Sequence, residues 1–262
     1  MNLSALLGLL MAFSVMIGAM VTSTDKAKIF LDAHAFVIVI GGTIAASLLS
    51  FSAKKLLALG KVFFKRTLGK NDDINVAVNE MVDLAKGYRE NDNYLRDKHA
   101  SLKTPFLKEA IGMLNEGAID TDQMDKILNK RAHNMAHRHE EDAEIFKALA
   151  KFPPAFGLLG AVIGIISLMA NMGGADAAQK MGPSFAIALV ATMYGIAVAN
   201  FIFLPLGENL AKANRMDQII RQMVIDGFKL IRDKKHPIVV EESIKSYLLP
   251  SERGESANKK AA

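Results

Sequence analysis

The sequence predicts an all-α membrane protein. Four transmembrane helices are expected, with a helical cytoplasmic domain between spans two and three, and long helices continuing from membrane into cytoplasm. Three observations predict this. Four runs lack Asp, Glu, Lys and Arg, at about 3–23, 33–53, 153–175 and 183–207, and roughly 20 apolar residues suffice to cross a hydrocarbon core as a helix. The composition is segregated, since 51% of residues are hydrophobic while 23% are charged, and mean hydropathy is +0.20. Basic residues are placed unevenly: none before residue 25, eighteen in 54–152 and eleven after 207. The positive-inside rule then puts 54–152 and the C-terminal tail in the cytoplasm, with both short loops outside and the N-terminus inside. Four segments follow: spans one and two in 1–53, a cytoplasmic helical domain in 54–152, spans three and four in 153–206, and a cytoplasmic helix and tail in 207–262.

The first span has neither a basic leading region nor a small-residue cleavage site, so it reads as retained. A loop of barely ten residues makes span two its neighbour. Asp32 stands at the outer mouth of span two, with His34 just inside. Two readings stay open for Asp32: a hydrated acid favouring the start of a helix, or a cation-attracting group at a pore entrance. After Ser50, Lys54, Lys55, Lys61, Lys65 and Arg66 alternate with Leu56, Leu57, Leu59, Val62, Phe63 and Phe64. This is the pattern of a basic amphipathic helix on the cytoplasmic membrane surface; its adjacency to a span disfavours nucleic acid as the partner.

Asn71-Asp72-Asp73 opens a helix running towards Tyr88, and RENDNYLRDKHASLK reads as a polar break. Thr104-Pro105 supplies an N-cap with a first-turn proline, and Gly117 a stop. Asp120 or Thr121 starts the next helix. No breaker follows until Pro153, so a rod of about 50 residues, roughly 75–80 Å long, is expected to reach Met172. His133 and His137 lie four apart on it, with His139, Glu140 and Glu141 nearby. The charged surroundings favour a solvated face over a metal site.

Pro153, Pro154 and Pro205 are expected to kink spans three and four near the inner membrane surface. Gly157, Gly160, Gly164, Ser167 and Asn171 share one face of span three, and Ala188, Thr192, Gly195 and Ala199 one face of span four. Such faces let helices approach closely or line a polar path. Neither span carries a carboxylate, so a titrating group must come from another chain. No cysteine is present, which removes thiolate zinc and thiol chemistry. No nucleophile–base pair or phosphate loop is recognisable, so an enzyme is not expected, nor any cofactor.

PAFGLLG at 154–160, MYGIAVANFIFLPL at 193–206 and IVIGGT at 38–43, with the order of spans, resemble the A subunits of the bacterial flagellar stator, the MotA and PomA proteins. The likeness covers nearly the whole chain. It implies a homo-pentamer around a dimer of B subunits, which bring the ion-carrying aspartate and the peptidoglycan anchor, in the bacterial inner membrane. Ion flow would turn the ring, and the cytoplasmic domain would drive the rotor protein FliG. Pro154 and Pro205 match the functional prolines of the family, Asp32 an acid near the ion entrance, and Thr192 a threonine lining the path. Sodium-type members carry a threonine where this chain has Ala161, which favours H+ over Na+ as the transported ion. Arg89 and Glu90 fall near charges used against the rotor. Just beyond, where the family has acids, this chain has Arg96, Asp97 and Lys98. The rival reading is an ExbB or TolQ-type motor subunit energising outer-membrane processes; the two spans ahead of the cytoplasmic domain argue against it.

Overall fold

A computed structural model describes residues 3–68, 73–172 and 177–253, and every regular element among them is helical. In order these are α1 (Leu3–Ser23), α2 (Ala33–Phe36), α3 (Gly42–Ser50), α4 (Ala53–Leu68), α5 (Ile74–Glu90), α6 (Tyr94–His99) and α7 (Pro105–Glu116). They are followed by α8 (Thr121–Leu149), α9 (Phe152–Asn171), α10 (Ala177–Ala197), α11 (Leu204–Arg232), α12 (Pro237–Lys245) and α13 (Pro250–Arg253). A 3₁₀ turn, Ala27–Phe30, precedes α2, and π-helical turns join α2 to α3 (Val37–Gly41) and α10 to α11 (Val198–Phe203). Three stretches are long and apolar enough to cross a membrane, within Ala27–Ser50, Thr121–Ala170 and Met181–Arg232; Leu7–Ser23 is a shorter apolar helix.

The chain forms two compact units, one from residues 1–69 and 140–211, the other from 70–139 and 212–262. In the first, apolar side chains face outward where a soluble protein would show charge: Leu10, Met11, Val15, Leu49, Leu158, Ile166 and Leu189 are all more than half exposed. Such a surface is matched to lipid or to other apolar helices. Leu59 of α4 is buried against Ala143, Phe146 and Leu149 of α8 and Leu210 of α11.

The second unit has a conventional core. Ala77, Met81, Leu84 and Ala85 recur at helical spacing on α5 and meet Leu107 and Ile111 of α7, Met124 and Leu128 of α8, and Met223, Phe228 and Ile231 of α11. Asp73 caps α5 by accepting the Asn75 N–H at 2.9 Å, whereas Asn71 and Asp72 lie outside the described residues. Gly117 ends α7 at φ 64°, the left-handed conformation in which a glycine avoids the Cβ penalty. Asp120 accepts the Met124 N–H and so stands at the N-cap position of α8.

Local reading was corrected at four places. Thr104 occupies the N-cap position of α7 without a side-chain bond; the Glu80 carboxylate instead accepts the N–H groups of Lys103 and Thr104, at 2.6 and 3.0 Å. Glu80→Ala is expected to lower stability by about 1 kcal/mol, the usual worth of a helix cap, as a lower melting temperature by circular dichroism. The supposed polar break contains α6, anchored by buried Leu95. The rod, Thr121–Ala170, carries a turn at Ala150 and Lys151 that divides α8 from α9, where the Lys151 N–H donates to the Ala148 carbonyl three residues back. Lastly, α10 starts at Ala177, six residues before the charge-free run at 183, and encloses Pro183; of the loop before it, 173–176 lie outside the described residues.

Candidate functional site: the seam between α9 and α10

The first unit is organised on the antiparallel packing of α9 against α10. Its closeness comes from residues with little or no side chain. A Cβ at Gly157 would lie 2.9 Å from the Ala191 carbonyl oxygen, one at Gly164 2.8 Å from that of Ser184, and one at Gly195 2.5 Å from that of Pro153. Between the two uses that a small-residue face permits, the glycines here serve close approach.

Thr192 lies on this seam, its Cα 3.2 Å from where a Gly157 Cβ would be. Its hydroxyl donates to the Ala188 carbonyl at 3.0 Å, with the Gly157 carbonyl at 3.4 Å. The donor is thus spent within the protein while the oxygen keeps lone pairs for a further partner. Ala161 is half-buried, one helical turn beyond Gly157. At the other end of the seam, Gly195 sits against Pro153 and Pro154. These prolines occupy the first turn of α9, where a missing N–H costs no ladder bond. They stand directly after the turn at Ala150 and Lys151, where the hydrogen-bond register between α8 and α9 changes.

Pro205 is not part of this cluster. It is exposed, one residue into α11, directly after the π turn. There the Leu204 N–H reaches the Ala199 carbonyl five residues back, and the Asn200 amide donates to the Ile196 carbonyl at 2.9 Å. The wider turn gives the Pro205 ring room that a regular α-turn would deny it. Asp32 caps α2, accepting the Ala35 N–H at 2.8 Å. Two residues earlier, the Phe30 carbonyl accepts a 2.6 Å hydrogen bond from the Tyr194 hydroxyl, which ties the approach to Asp32 to α10. Sequence reading missed Tyr194. The available signal was a lone phenol in a charge-free run, a group that finds a polar partner when buried.

The candidate rotor-facing residues belong to the second unit, at the end of α5 and on α6. Arg89, Glu90, Arg96 and Asp97 are exposed. Lys98 is partly exposed and has local partners: its ammonium lies 3.5 Å from Asp83 and 5.4 Å from the centre of the Tyr94 ring, and the Tyr94 hydroxyl donates to Asp83 at 2.9 Å. Burial, then the bond to Asp83, raises the Tyr94 pKa. The hydrogen bond to Tyr94, then the Asp83 charge, raises that of Lys98. The Tyr94 ring lies over Gly87, where any Cβ would be 2.2 Å from it, so α6 is seated on α5 by a residue that has no side chain. Of the histidines on α8, His139 turns towards α11, with Arg221 at 3.3 Å and Asp217 at 3.9 Å. Among the described residues no three His, Cys, Asp or Glu gather as a metal site would require.

Comparison with known proteins agrees with this architecture. The chain is 28% identical over 253 residues to the chemotaxis protein PomA of Vibrio alginolyticus, covering 97% of this chain and 98% of that one. It is 27% identical over 258 residues to motility protein A of Borreliella burgdorferi, covering 97% of each. Among solved structures, the flagellar MotAB stator complex from Bacillus subtilis contains a chain that superposes with a TM-score of 0.82 at 26% identity, covering 96% of this chain and 98% of that one. A C. jejuni MotAB structure gives 0.83 at 20% identity, with coverage of 95% and 97%, and supports the fold alone. The family model described as the MotA/TolQ/ExbB proton channel family matches residues 98–246, a region that contains α9, α10 and nearly all of the helices that flank them. With more than half of its length so matched, the chain belongs to the MotA/TolQ/ExbB proton channel family.

Proposed function

We propose that the chain is the A-type stator subunit of a bacterial flagellar motor, a torque-generating membrane protein and not an enzyme. The observation that carries this reading is the end-to-end match to motility A proteins and to the MotAB stator complex, spanning 96–98% of the chains cited. An ExbB or TolQ-type role, open to the family as a whole, is less supported by such matches.

In this reading α1, the stretch from Ala27 to Ser50, α9 and α10 are four spans of the cytoplasmic membrane, with both termini in the cytoplasm. The second unit is the cytoplasmic, rotor-facing part. Five copies surround a dimer of B subunits. From Phe152 to Gly207 the chain has one carboxylate, Asp176, in the short connection between α9 and α10, so the titrating group comes from the B subunit. Thr192 offers its oxygen to the ion held there, Ala161 adds no second hydroxyl, and Asp32 draws cations to the outer entrance. A carboxylate carrying a proton needs no shell of oxygens, unlike a dehydrated sodium ion, which favours H+. Pro154 and Pro205 let the seam move as the ring steps. Arg89, Glu90, Arg96, Asp97 and Lys98 meet FliG, with Lys98 held beside Asp83 and Tyr94. Exposed pairs are worth about 0–1 kcal/mol each, so these contacts act together.

The test is to express the chain with its B subunit in a host lacking stators. Swimming is expected to persist without sodium and to stop with a protonophore; arrest on sodium removal would overturn the ion assignment, and no swimming under any condition the stator reading. Pro154→Ala restores an N–H able to pair with the Ala150 carbonyl, joining α8 to α9. Co-purification with the B subunit should be unchanged while bead-assay torque falls; full torque would show that no hinge operates there.

A further inference from the structure

Helix α4 is one-sided in two respects. Leu59 is buried against α8 and α11, with Leu56 and Val62 packed around it, and Lys55 turns inward to pair with Asp142 of α8 at 2.8 Å. Lys54, Leu57 and Lys61, spaced by three and four residues and so on one face, point the other way. Leu57 is 73% exposed, and both lysines are exposed. A leucine flanked by two lysines, with no ion pair to either among the described residues, matches an interface that offers hydrocarbon and negative charge together.

Two further features single out a lipid surface. Only Phe51 and Ser52 separate α4 from α3, whose end exposes Leu48 by 52% and Leu49 by 90%, so the lipid-matched surface of the span leads directly onto this face. The helix also has five basic residues and no acidic one, and its first turn carries Lys54 and Lys55 with no acid to offset them. Cations at a helix N-terminus oppose its dipole, and a nearby phosphate relieves that repulsion. A neutral bilayer accounts for Leu57 but not for this charge.

We propose that Lys54, Leu57 and Lys61 form a docking surface for anionic phospholipid headgroups of the cytoplasmic leaflet, with Leu57 inserted among acyl chains and the lysines on phosphates. This rests on the membrane-embedded reading above, and a separate reporter tests that reading. The chain contains no tryptophan, so Leu57→Trp and Leu49→Trp each introduce a fluorophore, with the wild-type chain as background. The full chain is reconstituted in nanodiscs of phosphatidylcholine containing a minority of phosphatidylglycerol, with brominated acyl chains on one lipid or the other. The indole of the Leu57→Trp variant is expected to be quenched by brominated phosphatidylglycerol at least about threefold beyond its share of the lipid, since each lysine near an anionic surface contributes on the order of a fivefold preference. The preference should fall at high salt and when Lys54→Gln and Lys61→Gln are added together. Quenching in proportion to lipid composition would overturn the anionic preference. No quenching in Leu57→Trp while Leu49→Trp is quenched would mean that protein covers this face, also overturning it. Failure of quenching in both variants would overturn the membrane placement itself.

Discussion

Gly195→Val is expected to abolish motility by forcing the central seam apart. The Cβ alone would lie 2.5 Å from the Pro153 carbonyl oxygen and 3.1 Å from the Pro154 Cα. Both contacts are backbone and neither can swing aside as a side chain tip would. Prolines further limit the adjustment, because their φ angles are fixed. Overpacking a close-packed site costs about 1–3 kcal/mol and sometimes more, and here relief requires α9 and α10 to separate. Between apolar helices in lipid, that contact is maintained chiefly by close packing. The valine variant should therefore accumulate poorly in membranes or fail to support swimming, with Gly195→Ala intermediate. Gly60→Ala is the matched control: nothing lies within 4 Å of a Cβ there, and alanine favours a helix. Immunoblots of membranes and swimming radii read both effects. A Gly195→Val chain that accumulates and swims normally would show that the seam is not held by this contact.

What could be read in the sequence followed the range of the interactions that decide each feature. The charge-free runs, the small-residue faces, the Asp73 cap and the Gly117 stop depend on residues a few positions apart, and periodicity exposes them. The Glu80 cap on α7 joins residues 23 and 24 apart, and the Tyr194–Phe30 bond joins residues 164 apart; no local pattern encodes either. Helix α6 escaped notice because its apolar content is little more than Tyr94 and Leu95, and Gly87 makes their docking possible from another helix. The start of α10 lies six residues before the charge-free run at 183, because the helix encloses Pro183 and accepts the lost ladder bond. The π turns likewise alter hydrogen-bond register without altering which residues are apolar.

The candidate site divides in the same way. That the charge-free runs 153–175 and 183–207 lack a carboxylate was legible directly. The gathering of Thr192, Gly157, Gly195 and the first turn of α9 required the packed structure. So did the local setting of Lys98, since only the fold brings Asp83 beside it.

Thr192→Val is the substitution that separates ion handling from packing at the seam. Valine has nearly the shape of threonine, so the space between α9 and α10 stays filled. The lost hydrogen bond costs little, because the Ala188 carbonyl that accepts it at 3.0 Å also lies four residues back, where the helix ladder already uses it. What valine removes is the oxygen, with its lone pairs. If that oxygen meets the ion carried by the partner's carboxylate, the transition state for transfer loses a hydrogen-bonding group in a low-dielectric site, worth about 1–3 kcal/mol or roughly a ten- to hundredfold loss of flux. Swimming and torque should collapse while membrane accumulation and co-purification with the B subunit persist. Thr192→Ser keeps the oxygen and gives up only a methyl, so it should retain most of the torque. Equal damage from serine and valine would assign Thr192 to packing, and normal torque in the valine variant would remove it from the ion path.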